Sequence, residues 1–308
     1  MAPSDNGGRR HHRRGHGTRR ALRREAPSTV ALLADEADFA AMRRYTSFGF
    51  DDHRSYLRQA EGLLQDLAAR ELHTTVALFD PAEYAEYCAD AGLDPDSPGS
   101  RTRYVAEVAA AGGTVPYTGQ PVRDLLPELL RAVTRRATAD TATGLLLRAG
   151  DCPDCGEDLG EAALRRAGLL LTRLLEAAGP GDHHLVCSVA TRRGSLTAAL
   201  SATVPAGADG SAGPPLAGEE EALVFGTVLA AGIATGGPAG LVMRTSPDGR
   251  PDALRGWALD DDGWLRPLSE AEVFAAYCTD VFTGEPVPPE HGVEYRGGFP
   301  LPRPEQEE

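Results

Sequence analysis

The chain contains no lysine; apart from its histidines, every basic side chain is an arginine. That absence removes whole mechanisms at once. A phosphate-binding P-loop ends in Lys-Ser/Thr, and a protein kinase needs a lysine on its third strand. Pyridoxal-phosphate enzymes, Schiff-base aldolases and Ser-x-x-Lys hydrolases need an amine as nucleophile or base. Asp35-Glu36-Ala37-Asp38 spells a helicase box without the ATP site that would give it meaning. Other signatures are missing as well. There is no Gly-x-Ser-x-Gly elbow, no His-Glu-x-x-His pair, and no His-x-Glu matched to Pro-Cys-x-x-Cys. No dinucleotide glycine fingerprint follows a strand.

Cysteine is scarce and odd in number, at five, so no disulfide framework is expected. The first 25 residues lack an apolar core segment, and Glu25, Asp35, Glu36 and Asp38 follow Arg23-Arg24. Both a secretory and a twin-arginine reading fail on that pattern, and a reducing cytoplasm is the expected setting. The stretch Ala222–Met243 carries no charge and is long enough to cross a bilayer. Gly236-Gly237-Pro238 interrupts it, however, so a buried helix, a turn and a buried strand are expected in place of a membrane span.

What is present is an Ala/Arg/Gly-rich chain of bacterial type, 308 residues long, which can bury a sizeable core. Charge is unevenly spread. Residues 1–25 hold eight arginines against Asp5 and Glu25, a balance of +6; with −14 overall, the remainder carries −20. A body this acidic repels a phosphate backbone, so the folded part is not expected to bind nucleic acid. Only the arm has the charge for it.

The expected organisation is a disordered Arg/His-rich arm over 1–27, an α/β core over 28–180, an α+β continuation over 181–282 and a Pro/Glu-rich tail over 283–308. The fold class is α/β: an open, mainly parallel three-layer N-terminal half that runs into an α+β half with antiparallel hairpins. Tyr56, Leu57, Ala60, Leu63, Leu64, Leu67 and Ala68 recur at helical spacing and predict a helix from Asp52 to about Arg70. Tyr45–Phe50 and Thr74–Phe79 flank it as predicted strands of a βαβ unit. Asp80-Pro81-Ala82-Glu83 predicts a capped helix start. Further helices are expected over about 101–111, 121–136 and 162–176, with strands at Thr114–Tyr117 and Gly144–Arg148. Beyond residue 180 the pattern becomes hairpins: His184–Ala190 with Ser195–Val204, and Leu254–Leu259 with Trp264–Leu268. Ser269 and Glu272 predict a capping box.

Two constellations can carry chemistry. In open α/β sheets, ligands bind beyond the carboxyl ends of the strands. Asp51, Asp52 and His53 are expected at one such end and Asp80 at the next, a set suited to general-base or metal-assisted hydrolysis. The competing reading is helix capping by Asp51 or Asp52 and by Asp80. The second constellation is Cys152-Pro153-Asp154-Cys155-Gly156, half of a zinc site that would need Cys187 and His184 or His183 to complete it. A redox dithiol is the rival, opposed by the carboxylates of Asp151, Asp154, Glu157 and Asp158, which disfavour a thiolate. Two ordinary thiols in a polar turn explain the same letters. With no complete catalytic set, the sequence points first to an accessory or regulatory module that binds a protein partner or a small ligand. A small-molecule hydrolase working at the strand ends is the alternative.

Overall fold

A computed structural model describes residues 28–153, 155–192, 194–207, 212–246, 251–279 and 283–303. The arm expected over 1–27 lies outside the described residues. The chain divides into two compact units, one through Arg136 and one from Ala137 onward. Both mix strands and helices, and the fold is α/β.

In the first unit, β1 (Ser28–Leu32) and β2 (Thr74–Leu78) run parallel, in register from Ser28 opposite Thr74 to Leu32 opposite Leu78. The two-residue strand β3 (Val115–Pro116) pairs antiparallel with β2 to give the order β1-β2-β3. The helices are α1 (Glu36–Met42), α2 (His53–Ala69), α3 (Pro81–Ala91), α4 (Pro98–Ala111) and α5 (Val122–Leu146). One core joins Leu32, Val76 and Val115 to Ala60 and Leu64 of α2 and Leu125 and Leu129 of α5. The other is aromatic, with Phe39, Tyr45, Tyr56, Phe79, Tyr84 and Tyr104 packed beside Met42 and Cys88. Separate cores at either side of the short sheet give the three-layer arrangement.

Tyr45–Phe50 is not a strand. It forms turns, because the aromatic rings of Tyr45, Phe48 and Phe50 are drawn into that second core; the parallel partner of β2 is Ser28–Leu32 instead. Nor is Gly144–Arg148 a strand. The helical repeat of α5 continues through it, placing Ala142 and Leu146 in the second unit's core and leaving Leu147 exposed. A run of leucines fits either period, and here the 3.6-residue period wins.

The second unit holds α6 (Leu159–Ala178), β4 (Gly181–Thr191), β5 (Gly194–Val204), β6 (Leu216–Ala217), α7 (Glu219–Thr235), β7 (Ala239–Ser246), β8 (Asp252–Leu259), β9 (Leu265–Pro267), α8 (Glu270–Tyr277) and β10 (Val293–Tyr295). The sheet order is β10-β8-β7-β4-β5-β6, and β9 also pairs with β8. All pairings are antiparallel except β10 with β8. Leu170 and Leu174 of α6 and Phe225, Val228 and Leu229 of α7 pack on Leu185, Cys187, Leu200, Met243 and Trp257. These helices therefore cover one face of the sheet. On the opposite face, a Cβ on Gly256 of β8 would lie 3.0 Å from Leu268 and 3.2 Å from Val273 of α8. The small helix α8 thus covers the β8 end, and β4 and β5 are left open on that side.

The uncharged run Ala222–Met243 resolves as α7, a left-handed turn at Gly236 and the start of β7. Among the described residues no helix is long and apolar enough to cross a membrane.

Candidate functional site

The strand-end residues of the first unit meet in part. Asp52 caps α2, its side chain accepting the Ser55 amide at 2.8 Å. Asp80 caps α3, accepting the amides of Ala82 at 2.7 Å and Glu83 at 3.1 Å. Asp51 is exposed. His53 Nε2 lies 3.2 Å from the carbonyl of Leu33, just beyond β1, so this nitrogen carries the hydrogen and donates it. The hydroxyl of Tyr56 accepts from the Leu33 amide at 3.1 Å, and burial pushes its pKa up to about 12. His53 and Tyr56 stack with ring centroids 6.2 Å apart. Together these α2 side chains satisfy the backbone where β1 ends.

Sequence reasoning passed over Asp38 of α1. Partial burial raises its pKa, and Asp35 and Asp80 reinforce the shift while His53 opposes it. Four titratable groups therefore share one electrostatic neighbourhood at the carboxyl ends of β1 and β2. The sequence signal was the acidic string 35–38, readable only once β1 is known to end at Leu32.

The zinc expectation at Cys152, Cys155, His184 and Cys187 is overturned. Among the described residues no group of three or more His, Cys, Asp or Glu side chains can hold a metal ion. The reason lies in strand alternation. Along β4, Cys187 points into the helix-covered core with 0% exposure, while His184 is exposed on the other face. Burial pushes the Cys187 thiol up to about 12, which opposes the thiolate that a zinc ligand requires. His183 does point inward, but both ring nitrogens are engaged, Nδ1 with Thr245 Oγ1 at 3.0 Å and Nε2 with the Gly179 carbonyl at 2.9 Å. The loop holding Cys152 and Cys155 closes on itself instead. Cys152 N–H donates to the Glu157 carbonyl at 2.8 Å, and Gly156 N–H donates to the Cys152 carbonyl at 2.9 Å.

The open face of the second sheet is the other candidate. Ser188 on β4 and Ser195, Thr197, Ala199, Ser201 and Thr203 on β5 alternate with buried neighbours and are exposed. At one end of this face Asp182, His184, Ser201, Thr203 and Ser246 line a cavity of about 200 Å³. Ser201 Oγ is 3.2 Å from His184 Nδ1, and Thr203 donates to Asp182 at 2.7 Å. The trio resembles a hydrolytic triad in composition only. Asp182 is bonded to Thr203, and no Asp182–His184 bond fixes the ring. The backbone amides around it sit in a sheet ladder from Gly181 opposite Val204 to Thr191 opposite Gly194, so the amides turned toward the neighbouring strand cannot form an oxyanion hole.

The tryptophans are packing residues. Trp257 is fully buried and donates to the Phe299 carbonyl at 2.9 Å. Trp264 lies under the guanidinium of Arg166, 5.1 Å from its ring centroid.

Residues 17–120 match the model of a family described as a domain of unknown function, DUF8829. No curated protein and no solved structure matches the chain.

Proposed function

We propose that this is a cytoplasmic binding protein of accessory or regulatory type, and that it engages a protein partner through the open face of β4 and β5. The observation that carries this reading is the face itself: hydroxyl-rich, exposed at alternate residues, and free of any covering helix over β4 and β5 among the described residues. Its one cavity described above, at about 200 Å³, is smaller than the 300–1,000 Å³ typical of small-molecule sites. A flat polar surface suits a macromolecular partner, whose interface buries on the order of 800 Å² per side. The −20 balance outside the arm disfavours nucleic acid as that partner.

On this reading the carboxylates of Asp52 and Asp80 act as helix caps, and His53 supports the backbone beyond β1. The second reading, a hydrolase at the strand ends, draws on one observation: the raised pKa of Asp38 beside Asp80 and His53, the kind of shift that general acids show.

Affinity capture from the native cytoplasm separates the two. The wild-type chain and an Asp52→Asn/His53→Ala variant are expected to retain the same stoichiometric partner, and a Ser188→Arg variant, which sets one long charged side chain on the exposed face of β4, is expected to lose it while melting normally. Retention by the face variant and loss by the strand-end variant would reverse the assignment.

A further inference from the structure

The strand β5 has an outer edge that is mostly unused. The short strand β6 pairs only with Ala202 and Thr203, and among the described residues no strand pairs with Gly194–Ser201 on that side. Alternate amides and carbonyls of this stretch point away from β4. Natural sheets guard such an edge with lysine, proline, inward charge or a bulge. None of these is present here. The segment Gly194-Ser195-Leu196-Thr197-Ala198-Ala199-Leu200-Ser201 is uncharged and proline-free, and its register with β4 runs one-to-one without a bulge.

Two further observations point to what covers it. Leu216 of β6 and Leu223 of α7 are 61% and 69% exposed; β6 borders this edge, and α7 packs on β5. The segment is also close to palindromic about Ala198. Ser195 mirrors Ser201, Leu196 mirrors Leu200, and Thr197 mirrors Ala199. An antiparallel pair related by a two-fold axis places these residues opposite each other and on matching faces.

We propose that β5 pairs with β5 of a second copy of this chain, antiparallel about Ala198. In this register Leu196 stands opposite the second copy's Leu200 on the helix-covered face, where Leu200 is already buried in its own core. Ser195 meets the second copy's Ser201 on the open face. Pairing stops where β6 begins, and the two open faces join into one surface on the same side of a continuous sheet. This goes beyond the partner-binding reading and stands whether or not that reading holds.

Sedimentation equilibrium on the purified full chain tests it. The expected mass is twice the 32.5 kDa of one chain. Thr197 and Ala199 are exposed, so both accept charged side chains without disturbing the core. A Thr197→Lys/Ala199→Lys variant sets like charges opposite each other across the two-fold and should sediment as a single chain with its melting transition intact. A Thr197→Lys/Ala199→Glu variant sets opposite charges at the same contacts and should restore the dimer. A wild-type chain that sediments at 32.5 kDa at every concentration overturns the proposal. So does a double-lysine variant that stays dimeric, or a folded lysine–glutamate variant that stays single.

Discussion

Asp96 fastens the 45–50 turn from fifty residues away in the chain. One carboxylate oxygen accepts the Thr46 amide at 3.1 Å and its hydroxyl at 2.5 Å, while the other accepts the Ser47 amide at 2.8 Å. These bonds hold its carboxyl well below the usual aspartate range, with the Thr46 hydroxyl the largest cause. A carboxylate depressed in this way stabilises the fold above its unfolded pKa, and that contribution is lost as pH falls through the folded value. Asp96→Asn is therefore expected to lower the melting temperature at neutral pH and to flatten the stability curve below about pH 4, the range in which an unfolded aspartate titrates. Equal wild-type and variant slopes below that pH would show the clasp to be idle. The caps at Asp52, Asp80 and Ser269 are all legible in the sequence, because cap and amide lie within three residues of each other. Asp96 is not, because its partners are set by the tertiary fold. His53 shows the same limit: its place on a helix is readable, its carbonyl partner at Leu33 is not.

Elements were readable where a local pattern was unambiguous. The amphipathic stripe of α2, the Asp-Pro start of α3, the β4–β5 hairpin and the capping box of α8 all form where the residues place them. Gly144–Arg148 was lost to the helical period; two other differences come from strand pairing. Tyr45–Phe50 has strand-forming residues but no strand to pair with, and Val293–Tyr295 becomes β10 only because β8 offers it an edge. Such pairing is a property of the assembled sheet. Helix α7 gives a paired test of how tightly the second unit is packed. A Cβ on Gly226 meets nothing within 4 Å, whereas one on Gly232 would lie 3.0 Å from Val189 and 3.2 Å from Ala239. Helix propensity favours alanine over glycine by up to about 1 kcal/mol, so Gly226→Ala should raise stability by roughly that amount. At Gly232 the added methyl meets packed sheet side chains, and overpacking costs of about 1–3 kcal/mol outweigh the propensity gain. Gly232→Ala should therefore destabilise in urea unfolding. If both variants gain stability, the α7–sheet contact is looser than described.

For the molecule as a whole, composition was informative about exclusions and nearly silent about the site. The lack of lysine, the acidic body and the broken apolar run at 222–243 bounded the chemistry before any fold was known. Burial alternates along β4 and β5, but which face stays open depends on where α6, α7 and α8 pack. The cysteine knuckle stays half a metal site because His184 and Cys187, three apart on one strand, face opposite sides of it, which the period-two alternation of the strand predicted over His184–Ala190 already implies.

Under the proposed function, the strand-end carboxylates and His53 serve structure and the chain works by binding a protein. The decisive measurement is a thermal-shift screen of nucleotides, sugar phosphates and divalent ions, run on the wild-type chain and on the Asp52→Asn/His53→Ala variant. A ligand held at the strand ends would raise the melting temperature by mass action. No compound is expected to give a wild-type increment that the variant lacks, each measured against its own ligand-free melting temperature. A clear wild-type shift that disappears in the variant would contradict it and make the strand ends the working site.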